Sequence, residues 1–549
     1  MDGLGFDGGD TRSAHIDSFA RDNLPPPHLW PALRFTLPQL RYPARLNAAV
    51  ELMDRHLATR GDHPAVLTAE ETLTYRQLAE RVRRIGDVLV RRQGLVPGNR
   101  VLLRGPNNAW MLAGILAVIR AGGIAVPTMP LLRAAELRPI LRKARISHAL
   151  CDSRLAEEMQ AAAGDAPDLR HLTLWGEGAL EGLCAAADPD MAACDTAAED
   201  VCLIGFTSGT TGPPKGTMHF HRDLLATCDS YGREVLRPRA EDVFIGSPPL
   251  AFTFGLGGLA LFPFRVGAAT ALLERVGAEE LLAGIARHRA TVCFTAPTAW
   301  RVMAAAVAAG GHDVSSLRRC VSAGEALPKP VFEAWKEATG LPIMDGIGAT
   351  EMLHIFIGAP EEAIRPGATG LVVPGYEARV IGPGGAELPR GTPGRLAVRG
   401  PTGCRYLDDP RQAQYLQDGW NITGDTFIQD ADGYFWYQAR NDDMIVSAGY
   451  NIAGPEVEAA LLTHPAVLEC GVVGAPDPAR GRIVKAYVVP RPGVAADEAL
   501  AEALQAHVKA AIAPYKYPRA VEFVASLPRT GTGKLQRAAL RRMAEDAGG

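Results

Sequence analysis

A chain of 549 residues exceeds what one hydrophobic core supports, so two or more domains are expected. Hydrophobic residues at 47% and charged residues at 21% exclude a disordered chain. A net charge of −4 supplies no basic footprint for nucleic acid and no attraction to an anionic membrane surface.

Residues 1–40 read as an extended arm, since Leu24-Pro25-Pro26-Pro27 is too stiff for a helix. Met1 to Asp22 lacks the apolar core of a signal peptide. The folded part is expected to begin near Leu46. Ala65 to Leu67 and Thr72-Leu73 read as short strands. Thr74-x-x-Gln77 is a capping box, opening a helix with Leu78, Val82, Ile85 and Leu89 on one face. Val101 to Leu103 is a strand, Trp110 to Arg120 a mostly apolar helix, and Gly122-Gly123 its stop. That helix is too short to span a membrane. Ile124 to Val126 and Ser147 to Cys151 are further strands. This alternation predicts α/β layers with largely parallel strands, and it continues from residue 200 to about 350. After Gly370, Ala378 to Ile381 and Gly394 to Val398 sit between Gly/Pro turns, the pattern of a β-rich subdomain.

A second, small domain of mixed α+β character is expected from residue 442 to 549, after an N-terminal domain over 1–441. In it, Pro455 is expected at the first position of a short helix, Glu456 to Thr463. Leu468 to Val473 and Val484 to Val489 are strands, and Glu498 to Ile512 is a helix. The nine cysteines include no C-x-x-C pair and sit mostly among small or apolar residues, as in Val292-Cys293-Phe294. They read as reduced, buried thiols of a cytoplasmic protein, not as disulfides or zinc ligands.

The strand Leu203 to Phe206 feeds Thr207-Ser208-Gly209-Thr210-Thr211-Gly212-Pro213-Pro214-Lys215-Gly216. Phosphate recognition needs backbone N–H groups that close on oxygens unhindered, which Gly209 and Gly212 allow. Thr207, Ser208, Thr210 and Thr211 add hydroxyls, and Lys215 adds a point charge. The loop fails as a P-loop of the G-x-x-x-x-G-K-[ST] type. Counted from Gly209, Pro214 stands at the second Gly, and Gly216 follows the Lys.

At this loop the chain resembles the adenylate-forming superfamily of acyl- and aryl-CoA synthetases, carrier-protein adenylation domains and luciferases. The resemblance runs from about residue 50 to the C-terminus through several motifs in the same order. Ser322-Ala323-Gly324-Glu325-Ala326-Leu327 and Asp345-Gly346-Ile347-Gly348-Ala349-Thr350-Glu351 resemble the two adenine-side motifs. The resemblance implies that Asp345 to Ile347 flank adenine, that Thr350 meets the α-phosphate and that Glu351 binds Mg²⁺. Asp425 of Thr423-Gly424-Asp425 would hold the ribose hydroxyls, and Arg440 of Arg440-Asn441-Asp442-Asp443 would contact the ribose ahead of a hinge at Asp442. Lys534 of Pro528-Arg529-Thr530-Gly531-Thr532-Gly533-Lys534 would be the catalytic lysine, delivered by a mobile C-terminal domain. Taken alone, Glu351 reads as a helix-start acid and Lys534 as a solvated surface lysine; order and spacing decide otherwise.

The implied activity is ATP-dependent activation of a carboxylic acid as acyl-AMP, followed by transfer to coenzyme A. Ser447-Ala448-Gly449-Tyr450 would line the pantetheine tunnel, with Ala448 where many relatives carry Gly. Phe252, Thr253, Phe254 and Gly255 would wall the acyl slot, with Ala323, Gly324 and Gly348 opposite and His354 closing its end. Two Phe walls and one His suit a small aromatic acid. Asp345 to Phe356 resembles benzoate-type CoA ligases, while Ser13 to Pro26 and Ser447 to Pro455 resemble the 2-aminobenzoate branch. The expected reaction is therefore that of a 2-aminobenzoate–CoA ligase, with benzoate as the alternative acid. A free-standing phosphopantetheinyl carrier protein is the alternative acceptor. A fused carrier is not expected in the 15 residues after Lys534. Nothing in the sequence demands the oxygen chemistry of a luciferase-like oxygenase, and Glu351, Asp425 and Lys534 together argue against a catalytically dead relative. A monomer and a homodimer are left open.

Overall fold

The computed structural model describes residues 10–207, 213–440, 443–447, 450–477, 481–530 and 534–546. Three large sheets build the N-terminal part. The first has nine strands, in the order Leu371–Val372, Ile355–Gly358, Ile343–Gly348, Arg319–Ala323, Val292–Thr295, Val243–Gly246, Ala269–Ala271, Pro64–Leu67 and Thr72–Thr74. From Ile343–Gly348 to Pro64–Leu67 the neighbours are parallel; antiparallel strands finish both edges. The second, six-stranded sheet is parallel except at Lys215–Phe220, which returns antiparallel to Val201–Thr207. The third is the antiparallel sheet expected after Gly370, built on Glu377–Ile381, Gly394–Arg399, Trp420–Gln429 and Phe435–Arg440.

The capping box is present: Thr74 accepts from the Gln77 amide and Gln77 returns a bond to the Thr74 amide, opening helix Tyr75–Asp87. Helix Ala109–Arg120 starts on Asn108, whose side chain accepts from the Met111 amide. Eleven of its twelve residues are buried, nine of them in the main core, which explains a helix apolar on nearly every face.

Two expectations are corrected. The chain is folded well before Leu46: Ser13 donates to Asp200, Asp17 pairs with Arg100, and Ala20 and Leu40 are fully buried. These anchors lie far along the chain, so no local pattern announces them. The short C-terminal helix runs Gly454–Leu462, so Gly454 takes its first position and Pro455 its second.

The C-terminal residues form a sheet of Val467–Asp477, Gly481–Pro490 and Ala520–Phe523, covered by helices Gly454–Leu462, Glu498–Ala511 and Arg537–Asp546. This is the small α+β unit expected. Arg301, on helix Pro297–Ala309, donates to the Leu468 carbonyl and to Glu469, which also accepts from Arg529 at 2.8 Å. The amide of Leu535 donates to Glu325 at 2.8 Å. The small unit is thereby bonded to the large one.

Candidate active site

The phosphate loop is the connection between two antiparallel strands, with Thr207 and Lys215 as register partners. Ser208, Gly209, Thr210, Thr211 and Gly212 lie outside the described residues. The Thr207 hydroxyl oxygen is buried without a hydrogen-bond partner among the described residues. Lys215 donates to the Tyr406 hydroxyl at 2.9 Å, Tyr406 donates to Glu351 Oε1 at 2.5 Å, and Lys215 Nζ lies 3.6 Å from that oxygen. Two residues expected to handle phosphates and metal are therefore joined through a tyrosine that the sequence reading missed. Burial, then the Glu351 charge, push the Tyr406 hydroxyl far up, so it stays a donor.

Thr350 and Glu351 sit on a single 3₁₀ turn ended by Leu353 at φ +70, a conformation costly for a leucine. The turn is held from beneath. His219 Nε2 lies 2.8 Å from the Thr350 carbonyl, and burial pushes the imidazole down to about 4, so it is neutral and donates there. Behind it Arg405 donates to Asp223 at 2.8 Å, both fully buried. Arg405 and Tyr406 come from an irregular segment whose Arg405 carbonyl and Leu407 amide bond to Met218 and Gly216. No periodicity marks it, and only an alignment of relatives could have flagged it.

Asp425 and Arg440 are cross-strand partners with their charged groups 3.9 Å apart. Burial raises the Asp425 carboxyl, against the Arg440 charge. Ser322 and Asp345 pair on adjacent parallel strands. Burial pushes Asp345 well above the usual carboxylate range, against bonds from the Gly346 and Leu327 backbone. Gly346 partners Ala323, and after the register shift between Ile347 and Gly348 a Cβ at Gly348 would fall 2.6 Å from the His354 carbonyl oxygen.

Lys534 reaches this group from the small unit. Its Cε and Nζ would stand 3.1 and 3.3 Å from any Cβ at position 324, where φ is +94, so Gly324 suits both the backbone and the lysine. Desolvation around the amine lowers its pKa; Glu325 opposes, Arg440 assists and Asp425 opposes. Ala326 follows on the same turn.

Phe252 caps the short helix Thr253–Leu256, and Phe252, Thr253 and Phe254 are half-buried while Gly255 is buried. His354 is 3% exposed amid Phe262 (4.6 Å between ring centroids), Tyr231 (5.5 Å) and Phe254 (5.8 Å). A Cβ at Gly257 would fall 2.2 Å from its ring, so only glycine lets this wall close. Burial drives the imidazole down to about 3, with slight opposition from the Phe254 backbone. Neither ring nitrogen has a full hydrogen bond.

In the thioester motif Ser447 is buried, its hydroxyl bonds to none of these groups, and its backbone pairs with Tyr450. Ala448, Gly449 and the hinge Asp442 lie outside the described residues.

Such a fold, with Lys534 of the small unit brought beside Asp425 and Arg440, is that of an adenylate-forming enzyme of the acid–thiol ligase class. The chain belongs to the AMP-binding enzyme family: that family's model matches residues 53–405, and the AMP-binding enzyme C-terminal domain matches 456–534. A benzoate–CoA ligase of Thauera aromatica is 37% identical over 92% of this chain and 98% of its own. The crystal structure of the anthranilate CoA ligase AuaEII in complex with anthranoyl-AMP matches at a TM-score of 0.89 and 36% identity, over 93% of this chain and all of that one. A benzoate CoA ligase from Burkholderia xenovorans LB400 matches at 0.83 and 33%, over 90% of this chain and all of that one.

Proposed function

We propose that the protein is an ATP-dependent aryl-CoA ligase whose acid is 2-aminobenzoate. The observation that carries the reading is Lys534 lying across Gly324, beside Asp425 and Arg440. In the first step a carboxylate oxygen of the acid attacks the α-phosphorus of ATP, and pyrophosphate leaves. Two anions must meet in line, so positioning and charge neutralisation carry the catalysis. Lys534 would bridge the carboxylate and the α-phosphate, acting as a cation and not as a base. Lys215, kept in place by Tyr406, and the buried Thr207 hydroxyl would hold the outer phosphates. Asp425 and Arg440 would hold the ribose.

Glu351 would hold a magnesium ion, which when bound neutralises phosphate charge. Among the described residues no three His, Cys, Asp or Glu side chains gather as a metal site, which fits a cation completed by water and phosphate. In the second step the thiol of coenzyme A attacks the acyl carbonyl and AMP leaves. The Ser447–Tyr450 segment would present the pantetheine arm after the 442–549 domain turns about Asp442. A free-standing carrier protein is the competing acceptor.

The structural likeness to the anthranilate ligase supports 2-aminobenzoate. Benzoate is the second reading, favoured by a His354 that is neutral and enclosed by aromatic rings. An acid panel scored by thioester formation with CoA tests both. We expect 2-aminobenzoate to give the highest kcat/KM; a much faster benzoate or medium-chain fatty acid overturns the assignment.

A further inference from the structure

Next to Phe262, whose ring packs against His354, lies a cavity of about 350 Å³ that the reaction above does not use. That volume falls in the range of small-molecule sites. Its lining carries four arginines, Arg55, Arg233, Arg237 and Arg265, against one acid, Asp229, although the whole chain is net negative. The acid is spoken for: Arg265 grips both its oxygens at 2.9 Å and Tyr42 adds a bond at 2.9 Å. Arg233 is 64% exposed and stands 3.8 Å from Glu234, beyond hydrogen-bond reach, so donors remain available there. Arg55 makes one 3.3 Å bond to Glu51.

The backbone is unusual at the same place. Cys228–Leu236 is a π-helical segment, a form found frequently at functional sites. It ends on Arg237 at φ +54, a left-handed conformation that favours glycine or asparagine. Arg237 lines the cavity, with its guanidinium 2.8 Å from Glu362 and its Nε donating to the Glu234 carbonyl at 3.2 Å. Val266 and Pro238 are the apolar residues on its lining, with Phe262 fully buried beneath.

We infer that this cavity is a second ligand site, for a small organic carboxylate with an apolar body. Arg233, backed by the remaining donors of Arg55 and Arg237, would take the carboxylate in paired N–H···O bonds, and Val266 and Pro238 would take the body. Because the Phe262 ring also packs edge-on against His354 at 4.6 Å, occupancy would be felt in the acyl slot.

The test blocks the catalytic site of the intact enzyme with a non-hydrolysable benzoyl-sulfamoyl adenosine. Equilibrium dialysis then measures binding of labelled benzoate, 2-aminobenzoate and hexanoate, with pyrophosphate as a probe of charge alone. The expected result is one further equivalent of carboxylate per chain, weakened at least fivefold in Arg233→Glu and in Arg237→Glu. Should Arg237→Glu unfold, the exposed Arg233→Glu carries the test. No further equivalent, an equivalent indifferent to Arg233→Glu, or pyrophosphate binding with carboxylates excluded would each overturn the inference. Failure of the adenylate analogue itself to bind would instead count against the proposed function.

Discussion

At the scale of single residues, the proposed reaction is best tested at two side chains, Lys534 and Tyr406. Lys534 lies across Gly324 with its amine partly desolvated. Lys534→Ala is expected to slow acyl-adenylate formation at least about 100-fold, in line with loss of one electrostatic stabiliser. Thioester formation from supplied acyl-adenylate should persist, and pyrophosphate release against CoA-ester formation separates the two. Tyr406 sits between Lys215 and Glu351, bonded to both. Tyr406→Phe keeps the ring and removes the link. A rise in KM for ATP of at least about tenfold is expected, the lower end of what a charge-assisted bond of roughly 1.5–3 kcal/mol gives, with little change in KM for the acid. An unchanged KM for ATP would show Tyr406 to be packing alone.

At the scale of elements, the junction between the large and small units is set by a few bonds. Arg301 on Pro297–Ala309 reaches the first residues of strand Val467–Asp477, and Glu325 takes the amide of Leu535 beside Lys534. These contacts favour the orientation that presents Lys534. Glu469→Ala removes the partner of Arg301 and Arg529 together. It is expected to lower the adenylation rate severalfold while leaving the thioester half-reaction equal or faster, as single-turnover measurements of each would show. Equal loss in both would mean the glutamate supports the fold of the small unit instead.

Much of this scale was legible beforehand. The strands Pro64–Leu67 and Arg100–Arg104, the capped helix Tyr75–Asp87 and the antiparallel run after Gly370 follow from local periodicity and turn chemistry. Strand order was not legible. Ala269–Ala271 inserts between Val243–Gly246 and Pro64–Leu67, a neighbour some two hundred residues away in sequence. Which parallel strands become neighbours depends on how their crossover helices pack.

At the scale of the whole molecule, buried neutral histidines tie stability to pH. His219 and His354 are pushed to about 4 and about 3 by burial, from an ordinary 6.5 in the unfolded chain. Between those values the unfolded chain binds more protons than the folded one. Their stabilising effect is complete above pH 6.5 and is lost as pH falls toward 4 and below. By pH 5 each would cost about 2 kcal/mol. Denaturant midpoints should therefore fall steadily from pH 7 to pH 5, and His354→Phe should flatten part of that slope. A midpoint independent of pH in this window would contradict the buried, neutral state.

The sequence by itself determined the alternating α/β layers, the β-rich insertion and the small C-terminal unit, and it nominated Thr207, Lys215, Glu351, Asp425, Arg440 and Lys534 for the proposed site. Those are properties of short runs: periodicity sets an element, and a motif holds its residues at a fixed spacing. Tertiary structure alone decided that Tyr406 joins Lys215 to Glu351, that His219 holds the Thr350 turn above Asp223 and Arg405, that Arg301 meets Glu469, and that the arm is folded from Ser13 onward. Each of these is a bond between residues far apart along the chain, and whether two such residues meet is settled by the packing of the sheets and helices that carry them.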